Sequence, residues 1–172
     1  RKIFVIGSER CPSVQGWRRG PPENYLKKCD QYHLVPEPKM MQLIQSLHKA
    51  KRPELDLKDQ RIGDDHALAV MDSMACSDPI HVVVKNCRLK AKGVKAVCDA
   101  LVAHCTRLEE LDMSDNQCRR PKAAKAVAAL LDCKGCDSLE KLSLSHCGLA
   151  SAPALTITSE WAHRVEGRRA MR

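Results

Sequence analysis

"LEELDMSDNQC", residues 108–118, carries Leu108, Leu111 and Met113, then an amide at Asn116 and a small side chain at Cys118. Leu111 and Met113 alternate with polar residues as on a half-buried strand, and Asn116 ends that alternation instead of extending it. The spacing L-x-x-L-x-L-x-x-N/C-x-L recurs along the chain. "ELDLKDQRI" supplies Leu55, Leu57, Gln60 and Ile62. "PIHVVVKNCRL" supplies Pro79, Val82, Val84, Cys87 and Leu89, and "LEKLSLSHCGL" supplies Leu139, Leu142, Leu144, Cys147 and Leu149. The last template position falls at residues 62, 89, 118 and 149, in steps of 27, 29 and 31. Self-similarity at this period is the signature of a stacked, repeating architecture.

Helical patterns fill the intervals. "GDDHALAVMDSM" gathers Ala67, Leu68, Met71 and Met74 on one face, and "AKGVKAVCDALVAHC" gathers Val94, Val97, Cys98 and Leu101. "PKAAKAVAALLDC" is rich in strong helix formers, with Pro121 suited to a first helical position. Each unit therefore predicts a short strand, a turn and a helix, with apolar faces covered by its own helix and by its neighbours. The Asn or Cys slot sits where the backbone leaves the strand and its polar groups need partners. An amide there can bond both N–H and C=O groups between units, whereas a thiol packs with less bonding.

Repeats of about 28 residues with Asn and Cys alternating at this slot, backed by a full helix, resemble leucine-rich repeats of the ribonuclease-inhibitor type. The resemblance covers residues 53–149, about three and a half units. It implies an α/β fold, a right-handed solenoid with parallel strands on a concave face, helices on the convex face and an N-terminal helical cap. Gln60 departs from the slot in the first unit, the third unit lacks the helix-leading glycine that Gly63 and Gly93 supply, and the fourth unit stops after Leu149.

Residues 21–52 read as two short helices separated by "VPEP", with Tyr25, Leu26 and Cys29 on one apolar face and Met40, Leu43, Ile44 and Leu47 on the other. They are the expected cap. The run also resembles the leading segment of some centrosomal and ciliary leucine-rich-repeat proteins, which implies a cytoplasmic setting at a centrosome, cilium or flagellum. Residues 1–20 hold one candidate strand, "KIFVIGS", and a linker, as a tail or the remnant of an upstream domain. Residues 150–172 form a basic tail with no evident helix to continue the fourth unit, although Trp161 and Val165 stand one helical turn apart. The chain begins with Arg and has no apolar run near the roughly 18 residues of a membrane span. We expect a soluble intracellular protein lacking part of its natural N-terminus.

With aromatic residues at only 3%, packing falls to aliphatic and small side chains, and the ten cysteines suit that task. Cys87 and Cys147 occupy the Asn/Cys slot, and Cys76, Cys105 and Cys136 each precede a repeat by three residues, forming a predicted column. The lone C-x-x-C, residues 133–136, has no second ligand pair, so no structural metal or cofactor is expected and a reducing compartment fits. No phosphate loop, H-E-x-x-H, G-x-S-x-G or EF-hand spacing occurs. Asp64, Asp65 and His66 are adjacent at a helix start and fan outward, which suits capping better than catalysis. We therefore expect no enzyme activity and no small-molecule substrate.

The net charge of +8 is unevenly placed. The resemblance implies that template positions three, five, seven and eight face the concave surface. In the first two units these are Glu54, Asp56, Lys58 and Asp59, then His81, Val83, Lys85 and Asn86. The next two supply Glu110, Asp112, Ser114 and Asp115, then Lys141, Ser143, Ser145 and His146. The face is acidic on a basic chain. Glu54, Asp56, Asp59, Lys85, Glu110, Asp112, Asp115 and Lys141 are its candidate binding residues, for a partner protein with a basic patch. Lys90, Lys92, Arg119, Arg120 and Lys122 form an alternative basic ridge. Without interleaved aromatics, nucleic acid is the weaker partner for that ridge. A GTPase-activating role, known in one class within the resembled family, is a further alternative, since Arg119 and Arg120 stand near a loop.

Overall fold

The computed structural model describes residues 21–50, 53–74, 77–133, 136–148 and Ile157. The elements run α1 (Pro21–Gln31), α2 (Pro38–Lys49), β1 (Glu54–Asp56), α3 (Gly63–Ser73), β2 (His81–Val83), α4 (Ala91–His104), β3 (Glu110–Asp112), α5 (Pro121–Leu131) and β4 (Lys141–Ser143). These elements of the described residues make a mixed α/β fold, with five helices and a four-stranded parallel sheet in the order β1-β2-β3-β4. Expectations for residues 1–20, Cys76, Trp161 and Val165 lie outside the described residues.

Every strand covers template positions three to five, and the register keeps like positions together. Leu55 faces Val82, Val82 faces Leu111 and Leu111 faces Leu142. The ladder continues into the turns by the same bonds at each junction. Leu57 N–H donates to the Val83 carbonyl at 2.8 Å, Val84 to Asp112 at 2.8 Å and Met113 to Ser143 at 2.9 Å. Two residues on, Asp59 donates to Lys85, Asn86 to Ser114 and Asp115 to Ser145.

The apolar template residues make one core with the helices. Leu55, Leu57, Val82, Val84, Leu89, Leu108, Leu111, Met113 and Leu139 are buried, as are Val94, Val97 and Leu101 of α4 and Val127 and Leu130 of α5. Fully burying each leucine contributes about 2 kcal/mol. In the fourth unit Leu142 and Leu144 are only half-buried. Gly93 is required by close approach: a Cβ there would lie 2.4 Å from Asp64 Oδ1 and 3.1 Å from its Cα. The third residue of α5 is Ala123, also buried, so that helix tolerates the methyl group.

The two leading helices pack in sequence: α1 lies against α3, and α2 against α1 and β1. Tyr25 and Cys29 are buried, but Leu26 is 37% exposed, so it leaves the expected apolar face. Asp72 of α3 ties α1 down, its Oδ2 accepting from Lys28 Nζ at 3.0 Å and from Tyr32 Oη at 2.8 Å. Gln60, which departs from the slot in the first unit, is exposed. Ile157, expected in a tail without a helix, is helical and buried in the core.

Candidate functional site

One side of the sheet is packed on the helices, and the other carries template positions three and five in open rows. The register brings Glu54, His81, Glu110 and Lys141 into one row and Asp56, Val83, Asp112 and Ser143 into the next. Residues about 30 apart in sequence thus become neighbours at the strand spacing of roughly 4.8 Å. All eight predicted face residues lie on these rows or on the turns that follow them.

The predicted acidity is largely met from within. Glu54 Oε1 lies 3.1 Å from His81 Nδ1, and His81 Nε2 lies 3.6 Å from Glu109 Oε2. Lys141 Nζ reaches Glu110 Oε1 at 2.6 Å. Asp115 sits between Lys85 Nζ at 3.4 Å and His146 Nδ1 at 3.3 Å. Asp59 accepts from Asn86 Nδ2 at 2.6 Å. Among the described residues, Asp56 and Asp112 have no cationic side chain in ion-pair contact. They are the free negative charge of the row. Each instead accepts the N–H two residues on, Asp56 from Lys58 and Asp112 from Ser114, both at 2.9 Å. Such bonds shape the turn that follows the strand.

Position eight is set by the backbone. Asp59 (φ 61°), Asn86 (φ 51°), Asp115 (φ 60°) and His146 (φ 55°) are all left-handed, a region that Asp, Asn and His enter more readily than most side chains. Asp59 and Asp115 are therefore turn residues as well as candidate contacts. Position ten is left-handed in three units, at Arg61 (φ 53°), Arg88 (φ 58°) and Gly148 (φ 63°). A non-glycine residue there costs on the order of 1 kcal/mol. Sequence reading passed over both arginines because the template leaves position ten unspecified.

The predicted basic ridge divides. Lys92 Nζ pairs with Asp65 Oδ1 at 2.6 Å, and Lys95 pairs with Asp99 on the same helix. The Lys90 backbone N–H, at the head of α4, donates to Asp64 Oδ1 at 2.7 Å. Asp64 and Asp65 lie in the first turn of α3, where they favour its dipole, while the side chains of Asp64, Asp65 and His66 each reach a different neighbour, the third being Tyr25 Oη, 3.3 Å from His66 Nδ1. Arg119, Arg120 and Lys122 are exposed, and among the described residues no carboxylate pairs with them. A depression of about 260 Å³ opens beside them, lined by Asn116, Gln117, Arg119, His146, Cys147 and Gly148.

The cysteines behave as packing. Cys87, Cys98, Cys105, Cys118, Cys136 and Cys147 are buried and carry no disulfide. Burial pushes the Cys87 and Cys98 thiols up to about 12 and raises Cys105 as well. A hydrogen bond to Cys147, then burial, raises Cys118, while the same bond lowers Cys147. Raised thiols are poor nucleophiles at neutral pH. No cluster of three or more His, Cys, Asp or Glu suited to a metal occurs among the described residues. No helix among them is long and apolar enough to cross a membrane.

Compared with known proteins, the chain matches no family model, and no curated sequence matches it significantly.

Proposed function

We propose that this chain is a leucine-rich-repeat segment of the ribonuclease-inhibitor type that acts as a non-enzymatic protein-interaction scaffold. In this reading α1 and α2 cap the first repeat, and the open sheet face is the concave grip for a partner with a basic patch. The observation that supports it best is the in-register sheet with an uncovered polar face. It gathers side chains from four sequence-distant units into continuous rows without asking for a catalytic group. Asp56 and Asp112 are the contacts we weight most, because the other predicted acids already have partners within the fold.

Rim and face charges of this kind act mainly on association rate and specificity. The test is binding of a fluorescent lysine-rich peptide to the full chain, compared with Asp56→Asn and Asp112→Asn. Asparagine keeps the turn-forming oxygen and removes only the charge. We expect the double variant to slow association several-fold with an unchanged melting temperature. Unaltered binding in the double variant would sink the face assignment. The centrosomal, ciliary or flagellar setting is part of the same proposal, and imaging the tagged full-length protein tests it.

A further inference from the structure

We propose that the strand-to-helix turns form a second interaction surface, an arginine rim built from Arg61, Arg88, Arg119 and Arg120 that docks an acidic polypeptide segment. It is separate from the sheet face and does not depend on that reading.

Two of these arginines occupy a backbone position that disfavours them. Arg61 and Arg88 stand at template position ten with φ of 53° and 58°, where the fourth unit uses Gly148. Glycine or asparagine would serve the turn without strain. Arginine at the same strained position in consecutive units therefore directs attention to the side chain it carries. An observed backbone outlier is a sound starting point for a functional hypothesis.

The charges on this rim are also left open. Several cations elsewhere have a carboxylate: Lys28 has Asp72, Lys85 has Asp115, Lys92 has Asp65, Arg107 has Asp78 and Lys141 has Glu110, whereas Lys122, beside the rim, has none among the described residues. Arg61, Arg88, Arg119 and Arg120 are exposed and have no such partner among the described residues. Backbone bonds bring their turns side by side. Gly63 N–H donates to the Cys87 carbonyl at 2.9 Å, and Gln117 N–H to the Leu89 carbonyl at 2.8 Å. Three turns at the ladder spacing span about 10 Å, the length of roughly three residues of extended chain.

That length selects the partner. Two to four carboxylates on an extended segment can each meet a guanidinium in paired, charge-assisted hydrogen bonds. A nucleic acid fits less well. The described residues with Phe, Trp or Tyr rings are Tyr25, buried on α1, and Tyr32, in the turn after α1 and bonded to Asp72, so the rim offers no stacking platform.

The test uses the full 172-residue chain and a fluorescein-labelled glutamate-rich decapeptide, read by anisotropy at two ionic strengths. The triple variant Arg61→Gln, Arg88→Gln, Arg119→Gln should weaken binding at least tenfold. Lys28→Gln, which removes a lysine already paired with Asp72 on the leading helix, should stay within twofold of the parent. If the triple variant does not fold, Arg61→Gly with Arg88→Gly replaces it, because glycine suits both backbones, and a several-fold loss is expected. Asp56→Asn with Asp112→Asn should not weaken this peptide, which separates failure of the rim from failure of the face. No binding by the parent chain, or equal losses in the paired-lysine control, would overturn the proposal. So would a labelled single-stranded oligonucleotide that binds more tightly than the peptide and loses affinity in the same triple variant.

Discussion

The junction between the second and third units and the junctions on either side of it use the same ladder but different locks. In the slot that gave the repeat away, Asn116 engages four backbone groups. The two hydrogens of its Nδ2 reach the carbonyls of Val84, Met113 and Ser114 at 2.7, 2.9 and 3.2 Å, one of them shared, and its Oδ1 accepts from Leu89 N–H at 2.9 Å. The cysteines in the equivalent slot do less. Cys87 Sγ donates to Leu57 O at 2.9 Å and more weakly to Lys85 O at 3.5 Å, and Cys147 Sγ to Met113 O at 3.2 Å. The backbone differs in step. Units with Cys or Gln in the slot place the next residue in the left-handed region, whereas Gln117, following Asn116, is not among the positive-φ residues. One side chain thus goes with one turn geometry, and the Asn/Cys alternation is structural grammar as well as packing.

Removing Asn116 should break that difference most severely. Asn116→Ala orphans the Leu89 N–H and the Val84 carbonyl, whereas the Met113 carbonyl keeps Cys147 Sγ and the Ser114 carbonyl keeps the Asn86 N–H. Buried groups left without partners cost roughly 1–3 kcal/mol each, so a loss of about 3 kcal/mol or more is expected in urea unfolding. A loss below about 1 kcal/mol would mean that the asparagine is no anchor and that the junctions are equivalent.

The same junction has a second lock, and it depends on pH. Asp78 accepts from the Thr106 N–H at 2.7 Å, from Thr106 Oγ1 at 2.9 Å and from Arg107 Nε at 3.0 Å. Burial by itself raises its carboxyl, but the bonds from Thr106 and Arg107 outweigh burial and hold it below the usual value. A depressed folded pKa stabilises the fold above the unfolded value near 3.9 and stops doing so as pH falls through the folded one. Asp78→Asn, which can also adopt its φ of 40°, should cost about 1.5 kcal/mol at neutral pH. The gap between parent and variant should stay flat above about pH 5 and close in stronger acid. A gap that persists unchanged at low pH would show that the charge is not what holds the two turns together.

Smaller effects are expected on the cysteine side. Cys147→Ala removes the thiol's weak bonds to the Met113 carbonyl and with Cys118 and little volume, so about 1 kcal/mol is expected in the same unfolding assay. A loss equal to that of Asn116→Ala would erase the comparison.

Much of this was legible because repetition makes four weak signals into one strong one. Leu55, Val82, Leu111 and Leu142 read alike in sequence and sit together in the sheet. The Asn116 bonding role followed from asking where turn carbonyls and N–H groups could go. Charge was less legible, since counting acids on a face says nothing about partners in the next unit. Lys85 and Asp115 are 30 residues apart, yet their charged groups lie 3.4 Å apart. Residue choice at position eight also misleads, because aspartate there satisfies a left-handed backbone before it offers any charge. The Asp78 clasp lies outside the template and had no repeating signal to reveal it.

The smallest expected effect has the opposite sign, and it sharpens the contrast between turns. Arg88 carries a left-handed φ of 58° in a unit whose slot holds Cys87, where the fourth unit uses glycine. Replacing a strained side chain by glycine relieves that strain but adds freedom to the unfolded chain, and the two terms oppose each other. Relief on the order of 1 kcal/mol against an entropy term of a few tenths leaves Arg88→Gly about 0.5 kcal/mol more stable than the parent. Gln117→Gly in the Asn unit has no such strain to relieve and should destabilise slightly. Opposite signs in thermal melts of the two variants would show that the turns are of two kinds. Should Arg88→Gly lose stability, its side chain would be contributing contacts that outweigh the strain, and arginine would belong there for the fold and not for a partner.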